Sequence, residues 1–134
     1  MPQFRISEAA ALLGVSDDTL RRWIDQGVIE AGVDDAGRKV VDGAALAALA
    51  KREAQAVDDP SGVARSARNT FVGLVTEVIA DTVMAQVEIQ SGPHRVVSLM
   101  SSEAVRELGL QPGSLAVAVV KATQVIVETP KGRQ

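Results

Sequence analysis

Apolar positions along the chain change their period near its middle. Over residues 1–57 they recur at helical spacing; over 69–128, Val, Ile and Thr alternate with polar residues as in strands. In the first half, Ser7 is placed to cap a helix over residues 8–13, and Gly14 ends it in the left-handed conformation that Gly tolerates. Val15 reads as a buried turn residue. Ser16 caps a second helix, with Asp17 and Asp18 at the positive end of its dipole. Leu20, Trp23 and Ile24 share its core face, Gly27 stops it, and the opposite face shows Asp18, Thr19, Arg21, Arg22 and Gln26. Residues 29–33 and 38–41 flank a hairpin-like turn, Asp34-Asp35-Ala36-Gly37, and Asp42 is placed to cap a third helix over 43–54.

In the second half the alternation predicts strands over 70–80, 83–89 and 94–100. A short helix follows, capped by Ser101 or Ser102, with Ala104, Val105 and Leu108 as its apolar face. Gln111-Pro112-Gly113-Ser114 is a tight turn, and strands over 115–121 and 123–128 complete five. Three strands, a helix, then two strands is the order of an OB-like barrel. Between the halves, Val57-Asp58-Asp59-Pro60-Ser61-Gly62 has linker chemistry, because Pro60 cannot continue a helix. The expected fold is therefore α+β with two domains: a mainly α, winged helix-turn-helix unit over 1–57, a linker over 58–64, and a five-stranded OB-like β-barrel with one short helix over 65–130.

Composition narrows what such a chain can do. Aromatics are only Phe4, Trp23 and Phe71, too few for the stacking platform of a single-strand nucleic-acid module. There is no Cys and one His, His94, so thiolate or His-rich metal sites and a Ser-His-Asp triad are hard to build. His94, beside Arg95, reads as a surface turn residue. No convergent nucleophile, base and orienting group is visible, so an enzyme is not expected. The longest apolar runs, 44–50 and 115–120, are too short to span a membrane, and no secretion signal is read at the N-terminus; a cytoplasmic protein is expected. The net charge of −3 does not argue against DNA, since a small domain binds through one basic face.

The stretches Ser7-Glu8-Ala9-Ala10, Leu13-Gly14-Val15-Ser16, Thr19-Leu20-Arg21-Arg22-Trp23, Gly27-Val28-Ile29 and Gly37-Arg38-Lys39 come in the order of turn, recognition helix and wing. Residues 3–50 thereby resemble the DNA-binding domain of MerR-type and excisionase-type regulators. The resemblance implies double-stranded DNA as partner. It places Asp18, Thr19, Arg21 and Arg22 on the helix that enters the major groove, and Arg38 and Lys39 on the wing. By themselves, Arg21 and Arg22 read equally well as a solvated helix face. MerR regulators follow this domain with a long dimerisation helix, which is missing here, so assembly has to arise elsewhere.

Residues 65–128 resemble the molbindin, or Mop/TOBE, domain. The resemblance rests on Ser66-Ala67-Arg68-Asn69, on Glu103 with Leu108-Gly109-Leu110 and Gly113, and on Val120-Lys121-Ala122-Thr123-Gln124-Val125. It implies molybdate or tungstate bound at subunit interfaces by Ser66, Ala67, Arg68 and Asn69 of one chain with Lys121, Ala122 and Thr123 of another. It also implies homo-oligomers, a dimer or a hexamer. A second oxyanion site is implied near the end of the third strand, for which Ser98, Ser101 and Ser102 are candidates. The donor chemistry agrees: a tetrahedral dianion wants hydroxyls, charged donors and backbone N–H groups, and neither segment contains Asp or Glu. The combined expectation is an oxyanion-responsive DNA-binding regulator. The alternative is molybdate storage, with the helical half serving only assembly.

Overall fold

The computed structural model describes residues 2–130. Its order is β1 (Gln3–Arg5), α1 (Ile6–Leu13), α2 (Asp17–Asp25), β2 (Gly32–Val33), β3 (Lys39–Asp42), α3 (Gly43–Glu53), β4 (Asn69–Ala80), β5 (Met84–Ser91), β6 (His94–Ser101), α4 (Ser102–Leu108), β7 (Leu115–Val120) and a 3₁₀ turn, Ala122–Gln124. Two compact units result. The first takes residues 2–55 with 128–130, and the second takes 56–127.

The first unit is a helix-turn-helix with a small sheet. Gly14 (φ 72°) and Gly27 (φ 77°) adopt the left-handed conformation after α1 and α2. The turn closes with Val15 N–H donating to Ala10 O at 3.0 Å, and Ser16 caps α2 by accepting from Thr19 N–H at 3.1 Å. Asp42 caps α3 by accepting from Ala45 N–H at 3.0 Å. Ile6, Ala9, Ala10, Leu20, Ile29, Val41, Leu46 and Leu49 form the core, with Trp23 and Ile24 packed on its edge. Ser7 is not the cap of α1: the helix starts at Ile6, and extended Arg5 holds the cap position. Ile6 is buried, so its side chain draws the first turn one step earlier, and the Glu8 carboxylate reaches back to Arg5 N–H at 3.5 Å. The three-residue strand β1 goes unread in the sequence because it is too short to show alternation. It pairs antiparallel with β3, Arg5 opposite Val40, and gives the sheet the order β1-β3-β2.

The second unit is a curled antiparallel sheet of order β6-β5-β4-β7 with α4 at one end. The curl comes from β4, whose first half, Asn69 to Leu74, pairs with β7 while Leu74 to Ala80 pairs with β5, with a bulge between Val75 and Glu77. Ala85, Val87 and Ile89 alternate inward from β5 and pack with Val75 and Val105. Ser101 caps α4 through Ala104 N–H at 3.1 Å, and Gly109 ends it at φ 65°. The two edge strands, β6 and β7, line one open apolar trough of about 500 Å³.

The fifth strand expected over 123–128 does not form. After Val120 the chain turns in the 3₁₀ element, with Gln124 N–H donating to Lys121 O at 2.9 Å, and residues 125–127 find no ladder partner among the described residues. Val125, Ile126 and Val127 stand 48%, 85% and 87% exposed. Their alternation encodes a strand, but a strand needs an edge to pair with, and the turn carries the segment off β7.

One position on β4 leaves no room for a side chain. A Cβ on Gly73 would lie 2.3 Å from the Gln90 carbonyl oxygen and 2.8 Å from its carbon, so backbone rather than a flexible side chain has to move. Gly73→Ala is expected to cost about 3 kcal/mol, the upper end of overpacking penalties. Denaturant melts of the full chain check this, and an unchanged midpoint would refute the close packing of β4 on β5.

Candidate functional site

In the first unit, the exposed face of α2 carries the residues read from the sequence. Arg21 and Arg22 project to solvent, and Arg21 Nη1 lies 3.6 Å from Asp18 Oδ1, both side chains well exposed. Such a pair stabilises little and leaves the guanidinium available. Thr19 is half-buried, and its hydroxyl meets the Ser16 hydroxyl at 2.9 Å, tying it to the helix cap. The wing turn is built on Asp34. One carboxylate oxygen accepts from Ala36 N–H and Arg38 N–H, both at 2.9 Å, and the other accepts from Arg38 Nε at 3.0 Å. These bonds, that of the Arg38 backbone N–H first, hold the Asp34 carboxyl below the usual carboxylate range. A lowered folded-state pKa means that the turn is supported at neutral pH and loses that support only as pH falls through it. Arg38 is thus tethered by its Nε yet stays exposed, with exposed Lys39 beside it. Arg5 and Ser7, outside the sequence-predicted set, line the same concavity as Arg21, Arg38 and Lys39.

In the second unit, Asn69 pairs with Val120 at the end of the β4–β7 ladder, and its side-chain Nδ2 donates to Val120 O at 3.2 Å across 51 residues of sequence. Ser66, Ala67 and Arg68 immediately precede that pair, and Lys121, Ala122 and Thr123 immediately follow it. The two candidate oxyanion segments therefore leave one end of the sheet together within a single chain. Ser66, Arg68, Lys121, Ala122 and Thr123 are exposed, and Ala67 and Asn69 half-buried. Next to them stands a residue the sequence reading passed over. Arg65 Nη2 donates to Ser61 Oγ at 2.7 Å and lies 3.2 Å from Asp59 Oδ2, while its Nη1 is buried with no partner. The signal for it was its place directly before Ser66 with an acid six residues upstream.

The serines of the second candidate site are spread over different tasks. Ser98 is half-buried on β6 opposite Val87 and borders the apolar trough. Ser101 accepts the cap bond of α4, and buried Ser102 donates to Asp81 O at 2.8 Å. Asp81 itself accepts from Met84 N–H and Val83 N–H, which hold its carboxyl below the usual range. His94 starts β6 on the surface, opposite Ser91. Among the described residues no group of three His, Asp or Glu could hold a metal ion, and no helix is long and apolar enough to cross a membrane.

Both units resemble known protein families. A family model described as "TOBE domain" matches residues 65–127, and one described as "MerR family regulatory protein" matches residues 5–40. Molybdenum-pterin-binding protein 2 of Clostridium pasteurianum is 36% identical over 63 residues, 46% of this chain and 93% of that protein. The chain belongs to the TOBE-domain family. The TOBE half is also similar to a crystal structure of the cytoplasmic molybdate-binding protein ModG with molybdate bound. There the identity is 41%, the match covers 54% of this chain and 52% of that one, and the TM-score is 0.50. The molybdenum transport protein ModE of Herbaspirillum seropedicae is 34% identical over 65 residues, 48% of this chain; the chain spans only 24% of that protein. This TOBE-domain protein thus joins a MerR-type helix-turn-helix to a Mop-like half-barrel.

Proposed function

We propose that this TOBE-domain protein is a molybdate- or tungstate-responsive DNA-binding regulator. The observation that carries the reading is the convergence of residues 66–68 and 121–123 at one end of the sheet, in a chain whose other unit is a helix-turn-helix. Ser66 and Thr123 supply hydroxyl donors, Arg68 and Lys121 supply charge-assisted donors, and backbone N–H groups complete a shell for a tetrahedral dianion. Asn69, tied to Val120, orders the first segment. The buried, unpartnered Nη1 of Arg65 supports an acceptor in this neighbourhood, because a buried donor left unpaired costs about 1–3 kcal/mol. Ser98, Ser101 and Ser102 remain the candidates for a second oxyanion site, with Ser102 already committed to Asp81.

Assembly through the half-barrel belongs to the same reading. Its apolar trough is open, and exposed Val125, Ile126 and Val127 are unpaired. A second copy covering both would bury apolar surface and complete the interface at which the oxyanion sits, giving a dimer or a hexamer. On the DNA side, α2 enters the major groove and brings Arg21 and Arg22 to the duplex, while Arg38 and Lys39 reach phosphates from the wing.

The rival, molybdate storage, requires no DNA contact. A chain with Arg21→Ala, Arg22→Ala, Arg38→Ala and Lys39→Ala keeps its buried core, since all four side chains are exposed. It is expected to keep its melting temperature and lose duplex affinity by about a hundredfold, with a flatter salt dependence. Undiminished affinity in that folded variant would leave storage as the better function.

A further inference from the structure

We propose that Arg5 and Ser7, at the start of α1, complete a clamp for a single backbone phosphate of duplex DNA together with Arg21, Arg38 and Lys39. The proposal rests on the DNA-binding reading of the first unit and adds to it where α1 and β1 meet the duplex.

These residues come from three separate parts of the chain and line one concavity of about 350 Å³ floored by Ile6. Four side chains in it are cationic and one, Asp17, is anionic. All four cations are exposed. Strand register does the gathering: β3 lies between β1 and β2, so Arg5, opposite Val40, stands one strand away from Lys39, which is opposite Val33. Neither Arg5 nor Lys39 makes an ion pair among the described residues. Arg38 is tied to Asp34 through its Nε, its terminal N–H groups make no hydrogen bond among the described residues, and Arg21 is held only loosely by Asp18.

Cations placed together repel one another, and the arrangement becomes favourable when an anion with several oxygens sits among them. Guanidinium forks and a Ser hydroxyl suit the two terminal oxygens of a phosphodiester. The concavity opens beside the exposed face of α2, whose Arg21 lines it. A duplex phosphate, rather than a free anion, is therefore the occupant: the helix that enters the groove and the wing beside it bring the backbone to this point.

A shared phosphate has a measurable signature. Counterion release counts phosphates neutralised, so two cations on one phosphate do not contribute two units of salt dependence. In the full chain, binding to a random-sequence duplex is followed by fluorescence anisotropy over a range of salt. Arg5→Gln and Lys39→Gln are each expected to weaken binding about tenfold and flatten the slope by at most about one unit, while Arg5→Lys retains most of both. The double variant Arg5→Gln/Lys39→Gln is expected to lose still about one unit. Wild-type affinity and slope in Arg5→Gln would remove Arg5 from the clamp. A loss of about two units in the double variant would assign the two residues to different phosphates and overturn the shared site. If the wild-type chain itself shows no salt-dependent duplex binding, the DNA-binding reading fails and the clamp falls with it.

Discussion

Lys121→Ala is expected to abolish the stabilisation that molybdate gives the assembled protein. An anion that binds only the folded assembly adds about 2.7 kcal/mol per site at one hundred times its dissociation constant. Lys121 is exposed just past the Asn69–Val120 pair, so its removal costs no packing, and Arg68 is then the one remaining cation of the two segments. A dianion faced with a single positive charge loses much of its compensation for leaving water. Selectivity follows from the same shell. At neutral pH much of the phosphate keeps a proton, and a shell made chiefly of donors offers that hydroxyl no acceptor. An unpaired buried hydroxyl costs about 1–3 kcal/mol, or roughly ten- to a hundredfold in affinity. Sulfate carries no proton, but its shorter bonds leave donors spaced for a larger anion out of reach. Thermal melts with each anion at matched ionic strength check both points. Equal stabilisation by sulfate, or an undiminished molybdate shift in Lys121→Ala, would overturn the assignment.

Much of the fold was legible because each of α1 to α4 carries at least one punctuation residue of its own. Ser16, Asp42 and Ser101 cap where their side-chain chemistry says they should, and Gly14, Gly27 and Gly109 end helices by φ values that few other residues accept. What failed were features that depend on distant partners. Ser7 had cap chemistry, but the burial of Ile6, a tertiary effect, shifted the helix start. β1 exists only because β3 offers it an edge, and three residues carry no period to read. Residues 123–128 had the period of a strand but, among the described residues, no edge to join. At the candidate oxyanion segments, sequence supplied the residue types, while the meeting of 66–68 with 121–123 is a matter of register, fixed by a ladder between strands about fifty residues apart.

If oxyanion and DNA are sensed by one molecule, their affinities are coupled. Molybdate held between copies of the half-barrel would set how two helix-turn-helix units are spaced, and half-site spacing decides whether both enter successive major grooves. Couplings of this kind amount to about 1–3 kcal/mol, or roughly five- to 150-fold, and thermodynamic linkage makes them reciprocal. The most direct measurement is the affinity of the full chain for a labelled duplex from upstream of its own coding sequence, titrated with and without saturating molybdate at constant ionic strength. A change of at least about fivefold, absent in Lys121→Ala and matched by an equal change in molybdate affinity when the duplex is present, is the predicted result. Identical duplex affinity with and without molybdate would contradict the account.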